Sequence, residues 1–242
     1  MKKRATDGGS FLVARPVGCT YFIVNGGERV EDPRDEIDED YALLAGLAAK
    51  EDATKGVWES ARSRLPWLCL LFWLGLVVSG VVGLFERVVE HLSLIVSFQS
   101  LILGMAGNTG TQSLAVTVRT LSDKSLNGTQ KRALASHEAR VGLCNGALLS
   151  LLSLIVVFGY LYVLRGEEMR LGLLVALCAS LALFLSMFLA SVSGAVIPLF
   201  LDRCGVDPAV ASGPFITTLN DLVAVITYYG LAFLLLVRVI GI

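Results

Sequence analysis

The stretch from Trp67 to Phe85, WLCLLFWLGLVVSGVVGLF, runs for nineteen residues without a charge. At about 1.5 Å of rise per residue, a helix of that length crosses the ~30 Å hydrocarbon layer of a bilayer. Leu65-Pro66 precedes it and Glu86-Arg87 closes it. Proline suits the first turn of a helix, and tryptophan suits the membrane interface. The pattern therefore predicts a membrane-spanning helix that opens at Leu65-Pro66-Trp67.

Working outward, four more segments read as spans: Val88–Leu121, Gly142–Leu164, Leu171–Phe200 and Pro214–Val237. The expected fold is all-α, a polytopic membrane protein with five transmembrane helices over residues 65–242. Composition agrees, with 55% hydrophobic and only 17% charged residues, against about a quarter charged in soluble domains. A net charge of -1 gives no basic surface for nucleic acid. Residues 1–64 form a cytoplasmic arm, too short for a sizeable core, that carries ten of the twenty Lys and Arg. Within it Val30–Asp40 is an acidic run, and Tyr41–Trp58 has the apolar spacing of an amphipathic helix. Met1-Lys-Lys-Arg4 is followed by no apolar stretch long enough for a signal peptide, so the internal spans direct insertion. With the N-terminus inside, inner segments hold sixteen Lys and Arg against four outside. That balance predicts N-terminus in and C-terminus out. The five cysteines, at 19, 69, 144, 178 and 204, have no metal or redox spacing and read as structural filler.

Two features interrupt the apolar pattern. The second span changes character at Gly104-Met-Ala-Gly-Asn-Thr-Gly-Thr-Gln-Ser113. A polar, glycine-rich patch at that depth belongs against protein or a water-filled cavity, not lipid. Its glycines, Gly104, Gly107 and Gly110, also suit close helix packing. The amides of Asn108 and Gln112 point to a pore wall. The second feature is Asp221, alone in an otherwise uncharged fifth span. An acid there costs about 2.5–3.5 kcal/mol on insertion scales, which makes it a functional candidate. Gly213, Thr217 and Asp221 are spaced four apart and Thr218 lies three before the acid, all on one helix face. A carboxylate flanked by neutral oxygens suits a hard cation such as Mg²⁺. A hydrogen bond to another span and a proton relay are the competing roles for Asp221. Asn220 joins the pore-lining set, and Glu86, at the outer end of the first span, stands at the mouth of such a path. His137-Glu138 lacks the second histidine of a zinc protease, and the sequon Asn127-Gly-Thr129 falls on the cytoplasmic side.

These residues resemble a known family. Asn108-Thr-Gly-Thr-Gln-Ser113 followed by Val118-Arg119 is similar to the second-helix signature of the MgtE family and its eukaryotic solute-carrier relatives. Gly205-Val-Asp-Pro-Ala-Val-Ala-Ser-Gly-Pro-Phe-Ile-Thr-Thr-Leu-Asn-Asp221 resembles that family's loop and fifth helix. Leu65-Pro66-Trp67 and Phe85-Glu86 match its first helix. The likeness covers roughly residues 60–240. It implies a homodimer of five-helix subunits in the cell membrane, with the ion path between subunits lined by helices two and five. Asp221 matches the family's pore aspartate, with Thr217 and Gly213 one and two turns before it. Two positions depart from the pattern. Gly213 offers no side-chain ligand, and Ala224 replaces a common glycine. The family usually carries a cytosolic N domain and paired CBS domains that close the pore. Here Glu31–Trp58 corresponds to the connecting plug helix, and a separate cytosolic regulator is a partner to expect.

The resulting expectation is a channel or carrier for Mg²⁺, with Mn²⁺ or Co²⁺ as the competing ions, and not an enzyme. A Na⁺- or H⁺-coupled exchanger and a non-transporting membrane scaffold or regulatory subunit are the alternatives.

Overall fold

The computed structural model describes residues 11–14, 21–24, 45, 56–85, 93–123, 126–208 and 211–237. Among the described residues five long helices follow one another: α1 (Val57–Leu84), α2 (Ser93–Asp123), α3 (Gly128–Gly159), α4 (Met169–Arg203) and α5 (Gly213–Ala232). Single π-helical turns, Tyr160–Leu164 and Phe233–Val237, extend α3 and α5. In the arm, β1 (Phe11–Ala14) and β2 (Tyr21–Val24) pair antiparallel, with Phe11 opposite Val24 and Ala14 opposite Tyr21. The all-α reading had no place for this hairpin. Most of the expected amphipathic helix Tyr41–Trp58 lies outside the described residues.

Four of the helical segments are long and apolar enough to cross a membrane: Val57–Leu84, Gly128–Leu164, Met169–Arg203 and Gly213–Leu235. Helix α2 is as long, but the polar run Gly107–Ser113 dilutes its apolar character; the helix nevertheless continues unbroken through that run.

Several boundaries differ from expectation because hydropathy marks where a helix meets apolar solvent, not where it starts. Pro66 lies inside α1, nine residues after its first residue. Its missing N–H forfeits one hydrogen bond of the helix there. The segment 122–141, left between the second and third expected spans, is mostly the polar start of α3. Asn127 is the N-cap of α3: its side chain accepts from Gln130 N, and Gln130 Oε1 accepts from Asn127 N, each at 2.9 Å. That reciprocal pair satisfies two otherwise orphaned donors. Helix α4 ends in a Schellman motif. Gly205 takes φ 72°, Val206 N–H bonds Leu201 O at 3.0 Å, and Gly205 N–H bonds Asp202 O at 3.1 Å. Near that end Asp202 pairs with Lys131 at the start of α3.

Helix α4 is the hub, packing most extensively on α2 and α3 and also on α5. Its buried face is largely small: Ala176, Ala179, Ala182, Ser186, Ala190, Ser191, Gly194 and Ala195. Helix α1 lies outside, with no fully buried residue, and packs mainly on α5. Trp67 lies near Phe215 (ring centroids 6.3 Å apart) and Phe85 stacks on Tyr229 (5.7 Å), so α1 and α5 run parallel. Helices α2 and α5 run antiparallel, tied by Tyr228 Oη–Ile95 O and Tyr229 Oη–Gln99 Oε1 bonds, both 2.7 Å. Large apolar side chains cover the outer faces of α1 and α3, Phe72, Trp73, Leu148 and Ile155 among them.

Candidate functional site

The buried apolar residues fall into two clusters that stop short of each other. The larger includes Ile95, Phe98, Ile102 and Ala106 of α2, Met187 and Ala190 of α4, and Ala224, Tyr228 and Tyr229 of α5. The smaller gathers Leu114, Val118, Ala211 and Ile216, with Ile197 and Leu201 against them. Between them, residues 107–113 of α2, 191–196 of α4 and 217–223 of α5 form a polar waist.

Helices meet closely in this waist because side chains are missing. A Cβ on Gly110 would overlap the Asn220 amide, and one on Gly107 would sit 2.9 Å from Thr217 Cγ2. On α4, a Cβ on Gly194 would overlap the Gly110 carbonyl oxygen. Small residues permit such backbone approach inside membranes. Hydroxyls then join the helices. Ser191 Oγ donates to Glu138 O of α3 at 2.7 Å and stands 2.7 Å from Ser113 Oγ, which leaves Ser113 as the donor to Ser191. Ser193 Oγ lies 2.6 Å from Asn220 Oδ1. Thr109 and Thr117 bond carbonyls of their own helix, Met105 O and Ser113 O, each at 2.8 Å.

Asp221 lies in the waist, half-buried, with no hydrogen bond or ion pair among the described residues. Thr217, one turn earlier, is also half-buried. Gly213 is the first residue of α5, followed by Pro214 in the first turn. The Thr218 hydroxyl is occupied within its own helix, donating to Pro214 O at 2.9 Å. On α2, Asn108 and Gln112 are exposed, as are Gly104, Ala115 and Arg119 on the same side. The contacts Thr217–Gly107 and Ile216–Gly110 fix the α2–α5 register. In that antiparallel register Gly104, Asn108 and Gln112 stand near the levels of Asp221, Thr217 and Gly213.

The structure thus sorts the residues expected to line a path. Asn108 and Gln112 lie on an open face. Gly107, Gly110 and Asn220 are instead buried in helix contacts, because their faces of α2 and α5 turn toward each other and toward α4. Glu86 lies outside the described residues. Sequence reading placed Ser113 in the polar patch without seeing it as a cross-helix tie, and missed Ser191 and Ser193, since serine in an apolar helix looks like filler. It also missed Glu138, whose side chain is 5% exposed with its carboxylate 3.2 Å from the His137 ring. The expected cysteine roles divide: Cys178 is buried, while Cys69, Cys144 and Cys204 are exposed thiols. Among the described residues, no three His, Cys, Asp or Glu side chains converge on a metal position.

Residues 99–231, from α2 to near the end of α5, match the MgtE family, described as divalent cation transporters. The chain belongs to the MgtE family. Proteins named magnesium transporter MgtE are similar to most of it. The Enterococcus faecalis protein is 38% identical over 210 residues, covering 87% of this chain and 44% of that one. The Bacillus subtilis protein is 38% identical over 197 residues, covering 81% and 42%, and the Thermus thermophilus protein 34% over 174 residues, covering 72% and 36%. The chain spans less than half the length of these relatives. Family membership and the apolar helices make it a multi-pass membrane protein of a transporter family.

Proposed function

We propose that this chain forms the membrane path of a magnesium transporter in the cell membrane, with Mg²⁺ passing between two copies. The carrying observation is Asp221: a carboxylate at the polar waist of an apolar bundle, with no partner among the described residues. Such a group is expensive in a membrane unless ions or water reach it. The names of the relatives supply the ion. The chemistry suits it, since Mg²⁺ keeps most of its water and takes few protein oxygens. Two Asp221 carboxylates across a two-fold axis, with Thr217 hydroxyls and the backbone at Gly213, attract and partly coordinate the hydrated ion. Asn108 and Gln112 on the open face of α2 contribute neutral amides beside it.

The second copy covers that open face, because amides facing lipid would go unsatisfied. Five crossings are favoured by helix direction. With α1 and α5 parallel, the three helices between them must all cross, α2 included. The Lys and Arg balance puts the N-terminus inside. Inward flow then follows the membrane potential, about 2.3 kcal/mol per charge per 100 mV.

The test is Mg²⁺ uptake into liposomes that hold an internal magnesium indicator, comparing the chain with its Asp221→Ala variant at equal assembled protein. Uptake in the first and background flux in the second is the expected result. Equal uptake would remove Asp221 from the path. No uptake by either, with Na⁺ and H⁺ gradients tried in turn, would reject transport by this chain. Replacing Mg²⁺ by Mn²⁺ or Co²⁺ in the same assay reads selectivity.

A further inference from the structure

We infer that Asn220 is a positioning residue: gripped by Ser193 of α4 and seated on the bare backbone of Gly110 of α2, it fixes the rotation of α5 and so the direction in which Asp221 is presented. The inference rests on the reading of Asp221 as the ion site, and deepens it.

The inward stripe of α5 is Ile216, Asn220, Ala224, Tyr228 and Ala232, all buried. Asn220, 1% exposed, is its one member with no hydrocarbon or ring to pack. An apolar residue of the same volume would fill the space without the cost of burying an amide. What the amide adds is direction. Apolar contacts tolerate sliding and rotation, whereas a hydrogen bond weakens steeply as it bends. The Asn220 Oδ1–Ser193 Oγ distance of 2.6 Å is short; Ser193 Oγ also lies 2.9 Å from Ala190 O, so its single proton is shared between an acceptor on α5 and one on its own helix.

The opposite wall is equally specific. Asn220 Nδ2 faces Gly110, where any Cβ would overlap it. Nδ2 is buried and has no partner among the described residues, so the bond to Ser193 is the polar tie this side chain makes there. Asn220 and Asp221 are neighbours, about 100° apart around the helix. A rotation of α5 that breaks the Ser193 tie turns Asp221 through the same angle. One turn earlier, Thr217 rests on Gly107, so the same two-glycine seat registers the whole Thr217–Asp221 edge.

The test compares three variants of the full chain: Ser193→Ala, Asn220→Leu and both together. Ser193→Ala leaves the buried Asn220 amide with no partner among the described residues, and Asn220→Leu leaves the Ser193 hydroxyl only Ala190 O. The double change removes both polar groups and keeps the branched shape at 220, so most of the packing and stability recovers. A merely structural role predicts that ion handling recovers with them. A positioning role predicts that the double variant melts like the parent yet needs about fivefold more Mg²⁺ for half-maximal uptake, the worth of one net hydrogen bond.

A second readout is independent of transport. Asp221→Cys is made with Cys19 and the exposed Cys69, Cys144 and Cys204 replaced by serine. The rate of modification at 221 by a water-soluble thiol reagent is then measured with and without the double change. A change of about fivefold is expected, and an unchanged rate together with unchanged half-saturation overturns the inference. If the parent chain carries no Mg²⁺, the transport reading fails, and the labelling rate alone decides the positioning role. If the double variant does not assemble, Ser193→Ala, which removes one oxygen, carries both readouts with the same criteria.

Discussion

The larger apolar cluster and the polar waist share helices α2, α4 and α5, and they solve opposite problems. In the cluster, Ile95, Ile102, Met187 and Val225 fill space with hydrocarbon, and position follows from volume. In the waist, Gly107, Gly110 and Gly194 remove volume so that backbones approach, and position follows from single hydroxyl and amide bonds. The cluster tolerates rearrangement as long as it stays full. The waist has few ways to be right, and it carries the one acid of α5. The lesson is a division of labour within single helices: stability is concentrated at one level and chemistry at another.

The sharpest way to break this division is Asp221→Ala, which should abolish Mg²⁺ uptake while leaving the melting temperature of the solubilised protein unchanged. The converse is Ile102→Ala in the cluster. It should cost about 2–5 kcal/mol of stability through loss of contacts and the cavity left behind, read as a lower melting temperature, with the Mg²⁺ dependence of uptake in the surviving protein unaltered. A smaller effect is expected from Gly194→Ala, whose new methyl meets the Gly110 carbonyl; forcing the helices apart should cost about 1–3 kcal/mol and, unlike Ile102→Ala, also raise the half-saturating Mg²⁺ concentration. Tyr229→Phe removes the hydroxyl bonded to Gln99 and keeps the ring on Phe85, for a loss of about 1 kcal/mol in thermal or denaturant melts. Smallest of all, Ile155→Ala on the outer face of α3 should stay within about 0.5 kcal/mol of the parent. A large effect there would mean that this face packs against protein.

Much of this was legible in the sequence, and the failures have a common cause. The four apolar helices announced themselves because long uncharged runs have little other use. Asp221 stood out for the same reason, as an exception to the run. Helix ends were less visible. Val57–Arg64 and Gly128–Val141 are helical yet polar, since hydrogen bonding and capping extend a helix past the apolar zone, and only Asn127 and Gln130 gave a local sign of it. The division within the Gly104–Ser113 run was not legible either. Gly107 and Asn108 differ by one position, but the first faces α5 and the second faces away, and only the helix register decides which. Asn220 was grouped with Asp221 for being adjacent and polar, although neighbours on a helix face different surroundings.

Helix α1 adds a mechanical consequence. It is 28 residues long, about 42 Å, so it outreaches the hydrocarbon layer. It leans mainly on α5, through Trp67 against Phe215 at one level and Phe85 against Tyr229 at another. With no fully buried residue of its own, it acts as a stiff rod strapped alongside the helix that bears Asp221. These two ring contacts, set toward opposite ends of the apolar run, are where a displacement of α1 would reach α5.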